Sequence, residues 1–263
     1  MDCIENRLDM FLSTAGFGGL EWKWGYDSNL YHYSRDACLG DMRKDLKAAN
    51  LTQNKENDEL MAGLDYLRGR TYSIDNEIWD VALRELSAEK VDVSRYWTFS
   101  LCREGHSEFM WKNYSQKNGK KGPGKPCVMT LDGKKIYERV KELISEDLKC
   151  GYSPDGCLHF FLPCFYLPHD KDRVKLLADF VTGSDYYGCL CNRPKRDGRL
   201  KDDGKLILAK DLSVMFALMI KNGDKYRAEQ ETRLIMVGNR PTTEKRRSVG
   251  LGFDPVVSIR HSL

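Results

Sequence analysis

The chain has no apolar run approaching the ~20 residues that cross a bilayer as a helix, which excludes a membrane-spanning helix. Its first residues, Met1-Asp2-Cys3-Ile4-Glu5-Asn6, carry two acids and no apolar stretch, unlike a secretory signal. The expectation is a soluble, cytoplasmic protein with no membrane partner. A Cys-x-x-Cys pair is also absent, although the chain holds nine cysteines. The nearest groupings are Cys157-Leu158-His159, Cys164 and Cys189-Leu190-Cys191. None has the paired spacing of a zinc site; an odd, irregular set suits reduced, mostly buried thiols, and no metal is expected. An excess of one charge is missing too. The 42 basic and 39 acidic residues leave +3, so bulk charge does not mark a nucleic-acid binder. The glycine-rich segment Gly119–Lys125 lacks the GK[ST] ending and the preceding apolar strand of a P-loop. There is no internal repeat and no low-complexity tract.

What is present points to one folded unit. At 263 residues the chain can bury a full core, and a single domain over residues 1–263 is the default expectation. Residues 4–14 read as a short amphipathic helix that Gly16–Gly19 ends, and Asn29–Ser34 as a strand. Ser34 or Asp36 can cap a helix running to about Ala49. Leu60, Met61, Leu64 and Leu67 share one helical face, and Ile74, Ile78, Val81 and Leu86 another. A helical insertion over about residues 36–90 follows from this. A strand is expected at 94–101, then a short helix capped by Ser107. Residues 116–126 form a Gly/Lys/Pro-rich loop. Cys127–Leu131 reads as a strand, Asp132-Gly133 as a turn, and Ile136, Val140, Leu143 and Ile144 as the apolar face of a helix. Cys157–Leu167 suits one buried strand before a helix at about 170–182. A charged loop at 191–205, a helix at about 208–221, a strand at Arg233–Val237, a basic loop at 240–247 and a strand at Val256–Ile259 complete the chain. Short strands among helices, without a βαβ rhythm, predict an α+β fold.

Three separated patches carry the chemistry: Tyr31-His32-Tyr33-Ser34, Trp97-Thr98-Phe99-Ser100 and Glu229-Gln230-Glu231-Thr232-Arg233. Each lies in or beside an apolar, aromatic-rich run, where polar side chains are costly unless satisfied or used. A His, a Ser and a Glu-x-Glu on three strands supply the parts of a pocket that binds NAD and breaks its glycosidic bond. Cleavage at the ribose develops oxocarbenium character, which a nearby carboxylate stabilises. Glu231 is the candidate for that role. Glu229, two residues away, shares its side of an extended segment and can hold or deprotonate an acceptor. His32 can donate to a ribose hydroxyl. The alternative for the acids is a solvated strand edge on which Glu229, Glu231 and Arg233 form a ladder, with Arg233 pairing one of them. The alternative for His32 is a satisfied core residue, and hydroxyls such as those of Thr98 and Ser100 commonly satisfy the backbone.

Taken together the motifs resemble the bacterial family of unknown function DUF2971, related to abortive phage-infection proteins of the AbiGi type. The resemblance runs through Leu30–Ser34, Leu51–Asp58, Trp97–Cys102, Met110-Trp111 with Tyr114, and Tyr226–Ile235. The Asn57-Asp58 patch departs from that family's usual Phe-Asn-Asp-Pro. The family in turn looks like a distant relative of ADP-ribosyltransferases, whose split sheet carries a first-strand His or Arg, a second-strand Ser or Tyr and a late Glu. The resemblance implies that His32 binds the NAD ribose, Ser100 braces the pocket, Glu231 is catalytic and Glu229 serves the acceptor. Tyr31, Tyr33, Ser34, Thr98, Trp111 and Tyr114 would complete the NAD-binding surface. Thr98-Phe99-Ser100 is only a partial Ser-Thr-Ser.

The expected function is therefore an NAD-dependent ADP-ribosyltransferase, or an NAD glycohydrolase on the same fold, acting in phage defence or as a toxin. NAD is the substrate, and the acceptor is a protein or nucleic acid. Basic segments at 116–126, 191–205 and 240–247 support a rival: a non-catalytic nucleic-acid- or protein-binding module. A metal-dependent nuclease using Asp58, Glu229 and Glu231 is a further rival.

Overall fold

A computed structural model describes residues 29–35, 42–43, 46–53, 57–68, 76–88, 91–112, 125–152, 157–193, 198–238 and 240–261. The strands in chain order are β1 (Leu30–Arg35), β2 (Lys47–Asn50), β3 (Tyr96–Cys102), β4 (Pro126–Leu131), β5 (Cys157–Pro163), β6 (Phe165–Leu167), β7 (Asn192–Arg193), β8 (Gly198–Arg199), β9 (Ile220–Asn222), β10 (Glu231–Gly238), β11 (Arg246–Ser248) and β12 (Val256–His261). The longer helices are α1 (Asn57–Leu67), α2 (Asn76–Ala88), α3 (Gly133–Cys150), α4 (Lys171–Thr182) and α5 (Asp202–Ala217). The fold is α+β, as expected, around an eight-stranded sheet whose pairings are all antiparallel. Among the described residues no helix is long and apolar enough to cross a membrane.

β3 organises the sheet. One of its edges pairs with β10 from Tyr96 to Cys102, and β10 pairs on its far side with β5. The other edge is shared. β2 takes Trp97 and Thr98, while β1 takes Cys102. The sheet therefore forks at Phe99–Leu101 into a short arm, β2–β11, and a longer arm, β1–β4–β12. Residues directly opposite in an antiparallel pair share a face, and alternate residues along a strand change face. Tyr31, Cys102 and Glu231 thus form one row on a first face, with Tyr33, Ser100 and Arg233 on the same side. Phe99, Leu101, Leu234 and Met236 occupy the second.

Helices cover both faces. α3 begins at Asp132, whose side chain accepts from Lys135 N at 3.0 Å, and it buries Ile136, Val140, Ile144 and Leu148. Its Asp147 accepts from both the backbone N (2.8 Å) and Nδ1 (3.0 Å) of His159, fixing it over β5 on the second face. α5 packs against α1 and α2 on the first face. It is buried almost continuously from Leu208 to Ala217. Within it Asp211 accepts from Arg95 Nη2, Tyr96 OH and Tyr152 OH, each at 2.9 Å. That carboxylate is fully enclosed and fully partnered, so it ties α5 to the start of β3 without an exposed charge.

Several expectations need correction. Lys47–Asn50 is a strand, so the helix expected up to Ala49 does not reach it; β3 and β11 hold both its edges, and Ala48 and Asn50 are buried. The 36–90 insertion is consequently not all helical. Met61 is 40% exposed, unlike Leu60, Leu64 and Leu67. Asp132-Gly133 is not a turn but the cap and first residue of α3. Cys157–Leu167 breaks at Cys164 into β5 and β6, because β6 leaves the large sheet to pair in parallel with β9. The 191–205 loop contains the β7–β8 ladder and the start of α5. The helix expected at 208–221 runs instead from Asp202 to Ala217, and Lys221 lies on β9. The helix at 4–14, Asp36, Ile74, Tyr114 and most of the 116–126 loop lie outside the described residues.

Candidate functional site

The site forms where β9 passes the start of β10. A helical turn, Gly223–Tyr226, is capped by Asn222 and runs into a tighter turn, Arg227–Glu229. Gln230 then adopts a left-handed conformation, φ 44° and ψ 46°, before β10 begins. The Glu229–Glu231 segment is therefore kinked, not extended as expected. The two carboxylates still converge, because both reach the same cation. Lys221 Nζ donates to Glu229 Oε2 and to Glu231 Oε2, the latter at 2.6 Å. Arg233 Nε donates to Glu231 Oε1 at 2.8 Å, its Nη1 to Leu218 O at 2.6 Å and its Nη2 to Glu59 Oε2 at 3.4 Å. Glu59 Oε2 also lies 3.8 Å from Lys221 Nζ.

These groups are withdrawn from solvent: Glu229 is 2% exposed, Glu231 4%, Lys221 3% and Arg233 1%. The solvated strand edge considered above is therefore ruled out, since β10 is central and its acids are buried; the pairing of Arg233 with Glu231 is observed. Burial alone would push the Glu231 carboxyl up. The Arg233 and Lys221 charges outweigh it and hold the group well below the ordinary carboxylate range. Burial likewise opposes the Lys221 ammonium, but Glu231, with Glu229 behind it, raises its pKa overall. Backbone anchoring comes from Tyr166, whose hydroxyl accepts from Glu231 N at 2.7 Å, and from Cys164 N, which donates to Glu231 O at 2.9 Å. Cys102 and Cys164 flank Glu231, and burial pushes both thiols up. They are protonated, and neither is an activated nucleophile.

On the same face, Tyr33, Cys102, Met110 and Val128 pack with Tyr31, Phe109 and Trp111. Tyr33 and Trp111 meet edge to face, centroids 5.5 Å apart. The Tyr33 hydroxyl donates to Glu104 O (3.0 Å) and accepts from Ser107 N (3.1 Å), and burial raises its pKa to about 12. Tyr31 lies against Gly105, where a Cβ would strike its ring. Ser107 caps the turn that carries Met110 and Trp111, accepting from Met110 N at 3.2 Å. Ser100 is half-buried beside Arg233, and Thr98 is buried between Ala49 and Ile235.

His32 stands apart from Glu231. It stacks on Phe99 with ring centroids 4.7 Å apart, which puts it on the second face. Its Nδ1 lies 2.9 Å from Ser100 O, at the fork where, among the described residues, β3 has no strand opposite it on that edge. The imidazole thus supplies the partner that a backbone carbonyl needs where the two arms diverge. Burial lowers its pKa. By alternation Ser34, opposite Cys127, shares the second face. The structure brings Tyr31, Tyr33, Ser100, Trp111, Glu229 and Glu231 to one face and does not bring His32 or Ser34 there.

The sequence reading missed Lys221, Glu59 and Tyr166. The signal for Lys221 was a lysine directly after the apolar run Val214–Ile220, where a solvated charge is out of place. Among the described residues no cluster of His, Cys, Asp and Glu is arranged to hold a metal, and the place between the acids is taken by two cations. The side chain of Asp58 lies outside the described residues. Comparison with known protein families, with curated proteins and with solved structures finds no match to the chain.

Proposed function

We propose that the chain is an NAD-dependent ADP-ribosyltransferase, or an NAD glycohydrolase on the same split-sheet fold, acting in phage defence or as a toxin. One observation carries the reading. Three motifs far apart in the sequence lie on or beside adjacent strands, β1, β3 and β10, beside a fork in the sheet. That is the arrangement the family resemblance implies, and the row Tyr31–Cys102–Glu231 runs across it. The electrostatics agree. Among the described residues three carboxylates, Glu59, Glu229 and Glu231, converge on two cations, Lys221 and Arg233. Carboxylates so placed favour the positive charge of the NAD nicotinamide ring, which passes to the ribose as the bond breaks.

In this reading the ribosyl C1′–N bond breaks and nicotinamide leaves neutral, taking the bonding electron pair. Glu231, held ionised, stabilises the oxocarbenium left behind. A protein or nucleic-acid nucleophile, or water, then bonds to C1′, and Glu229 receives its proton. Tyr31, Ser100 and Trp111 lie on the face that meets the nucleotide. His32 contributes from the other face by holding Ser100 and the fork in place, in place of the ribose contact expected of it.

The test is incubation of folded protein with labelled NAD, with and without cell lysate. Nicotinamide release, and label on a macromolecule, are expected; Glu231→Gln should lower turnover by roughly 10²-fold while NAD affinity changes little. Absence of both products from folded wild type would sink the reading. The engagement of both glutamates by internal cations favours a second reading, a non-catalytic nucleic-acid- or protein-binding module whose ion cluster only clasps β9 to β10. It predicts that Glu231→Gln lowers thermal stability and that no NAD turnover exists to lose.

A further inference from the structure

We propose that Lys221 is the positioning residue of the Glu229–Glu231 pair: its ammonium fixes the separation of the two carboxylates and keeps both ionised. The inference rests on the reading of those glutamates as the reacting acids. The geometry is specific. Lys221 sits in a two-stranded parallel ladder, directly opposite Tyr166. The two partners grip Glu231 from different sides, Lys221 at the carboxylate and Tyr166 OH at the backbone N. The same Nζ reaches Glu229 across the left-handed kink at Gln230, and it stands 4.9 Å above the Tyr226 ring. A small ladder separate from the main sheet thus acts as a jig for the pair.

The chemistry follows from charge. Two carboxylates drawn onto one nitrogen in a buried site repel each other, and without the cation one of them takes up a proton. Arg233 still covers the other oxygen of Glu231. Whichever carboxylate takes up the proton, the pair is no longer doubly ionised, as stabilising the oxocarbenium and accepting the acceptor's proton together require. Lys221 acts through the glutamates and has no contact with substrate in this scheme.

The test compares wild type, Lys221→Met and Lys221→Arg in the full chain. In Lys221→Met, the pH midpoint for transfer should rise by about one unit or more, and Lys221→Arg should restore it. Lys221→Arg should still turn over about tenfold more slowly with an unchanged KM for NAD, because a guanidinium cannot seat both acids at the ammonium's spacing. A purely structural role would move neither the midpoint nor the split between kcat and KM. Isotope-edited infrared spectra of glutamate-labelled protein give a readout that needs no turnover. Near neutral pH, Lys221→Met should show a protonated carboxyl band, absent from wild type and abolished by adding either Glu229→Gln or Glu231→Gln. Lys221→Gln, which keeps a donor, replaces Lys221→Met if that variant does not fold. No band and an unmoved midpoint would overturn the proposal. Should wild type release no nicotinamide, the reading as an NAD enzyme fails, while the band still decides whether Lys221 holds the pair ionised.

Discussion

The imidazole of His32 carries a pH-dependent contribution whose sign follows from its burial. Its folded pKa lies below the free value of 6.5, so the native state binds fewer protons there than the unfolded chain. This stability is full above about pH 6.5 and is lost as pH falls through the folded value. His32→Asn keeps an N–H for Ser100 O but cannot titrate. Between about pH 7.5 and pH 5, the thermal midpoint of wild type should fall more than that of the variant; equal slopes would show a solvated ring. Glu231 behaves in the opposite region. Its pKa is depressed, so its contribution is present above the ordinary carboxylate range and is lost only in strong acid. Gln230 poses a backbone question. With φ 44° it occupies the left-handed region, which disfavours a side chain branched at Cβ. Gln230→Val should lose about 1 kcal/mol or more in denaturant unfolding, whereas Gln230→Gly should be neutral or stabilising. If Val is tolerated without loss, the kink that brings Glu229 to Lys221 is not strained by it.

α1 delivers Glu59 to the ion cluster, and a single close approach sets its position. A Cβ on Gly63 would overlap the backbone of Ala217 in α5, and backbone cannot move aside as a flexible side chain can. Gly63→Ala should therefore part the two helices and cost about 1–3 kcal/mol, read in chemical denaturation. Because Glu59 lies one turn before Gly63, the same variant should loosen its pairing with Arg233. A Gly63→Ala protein as stable as wild type would place the helices further apart than described. Helices α3 and α5 show what can be read from sequence. α3 was legible because Ile136, Val140 and Ile144 recur at helical spacing on a half-solvated element. α5 was misplaced because it is buried almost all round, which erases periodicity and hides where a helix gives way to a strand. β2 was missed because Lys-Ala-Ala-Asn favours a helix, and only pairing on both edges overrides that preference. The site followed the same pattern. Glu229, Glu231 and Arg233 announced themselves as charges beside an apolar strand, but Lys221 was absorbed into the expected helix at 208–221. The face on which His32 lies depends on the register of β1 against β3, which spacing along the chain does not contain.

The fork divides the molecule unevenly, and hydrogen exchange should report the division. β10 is buried along its whole length and paired on both sides, so its amides at Leu234 and Ile235 should be among the slowest to exchange. Among the described residues β12 closes the long arm with a single partner and exposes Val257, while β11 closes the short arm with three paired residues. Both should exchange orders of magnitude faster than β10. Both arms pair with β3, and His32 bridges to Ser100 across the gap between them. A ligand seated beside Glu231 touches the longer arm through Tyr31 and leaves the β2–β11 arm untouched. Saturating NAD should therefore slow exchange in β1, in β3 near Cys102 and in the Gln230–Thr232 segment, with β11 unchanged. Binding of any ligand to the native state alone raises global stability, so amides that open only by complete unfolding will slow together. The informative amides are those that open locally, and among them protection confined to the row Tyr31–Cys102–Glu231 is the expected pattern. Protection centred instead on Arg246–Ser248, lost as salt is raised and reproduced by an oligonucleotide, would move the binding surface to the exposed basic edge at β11 and favour the non-catalytic module.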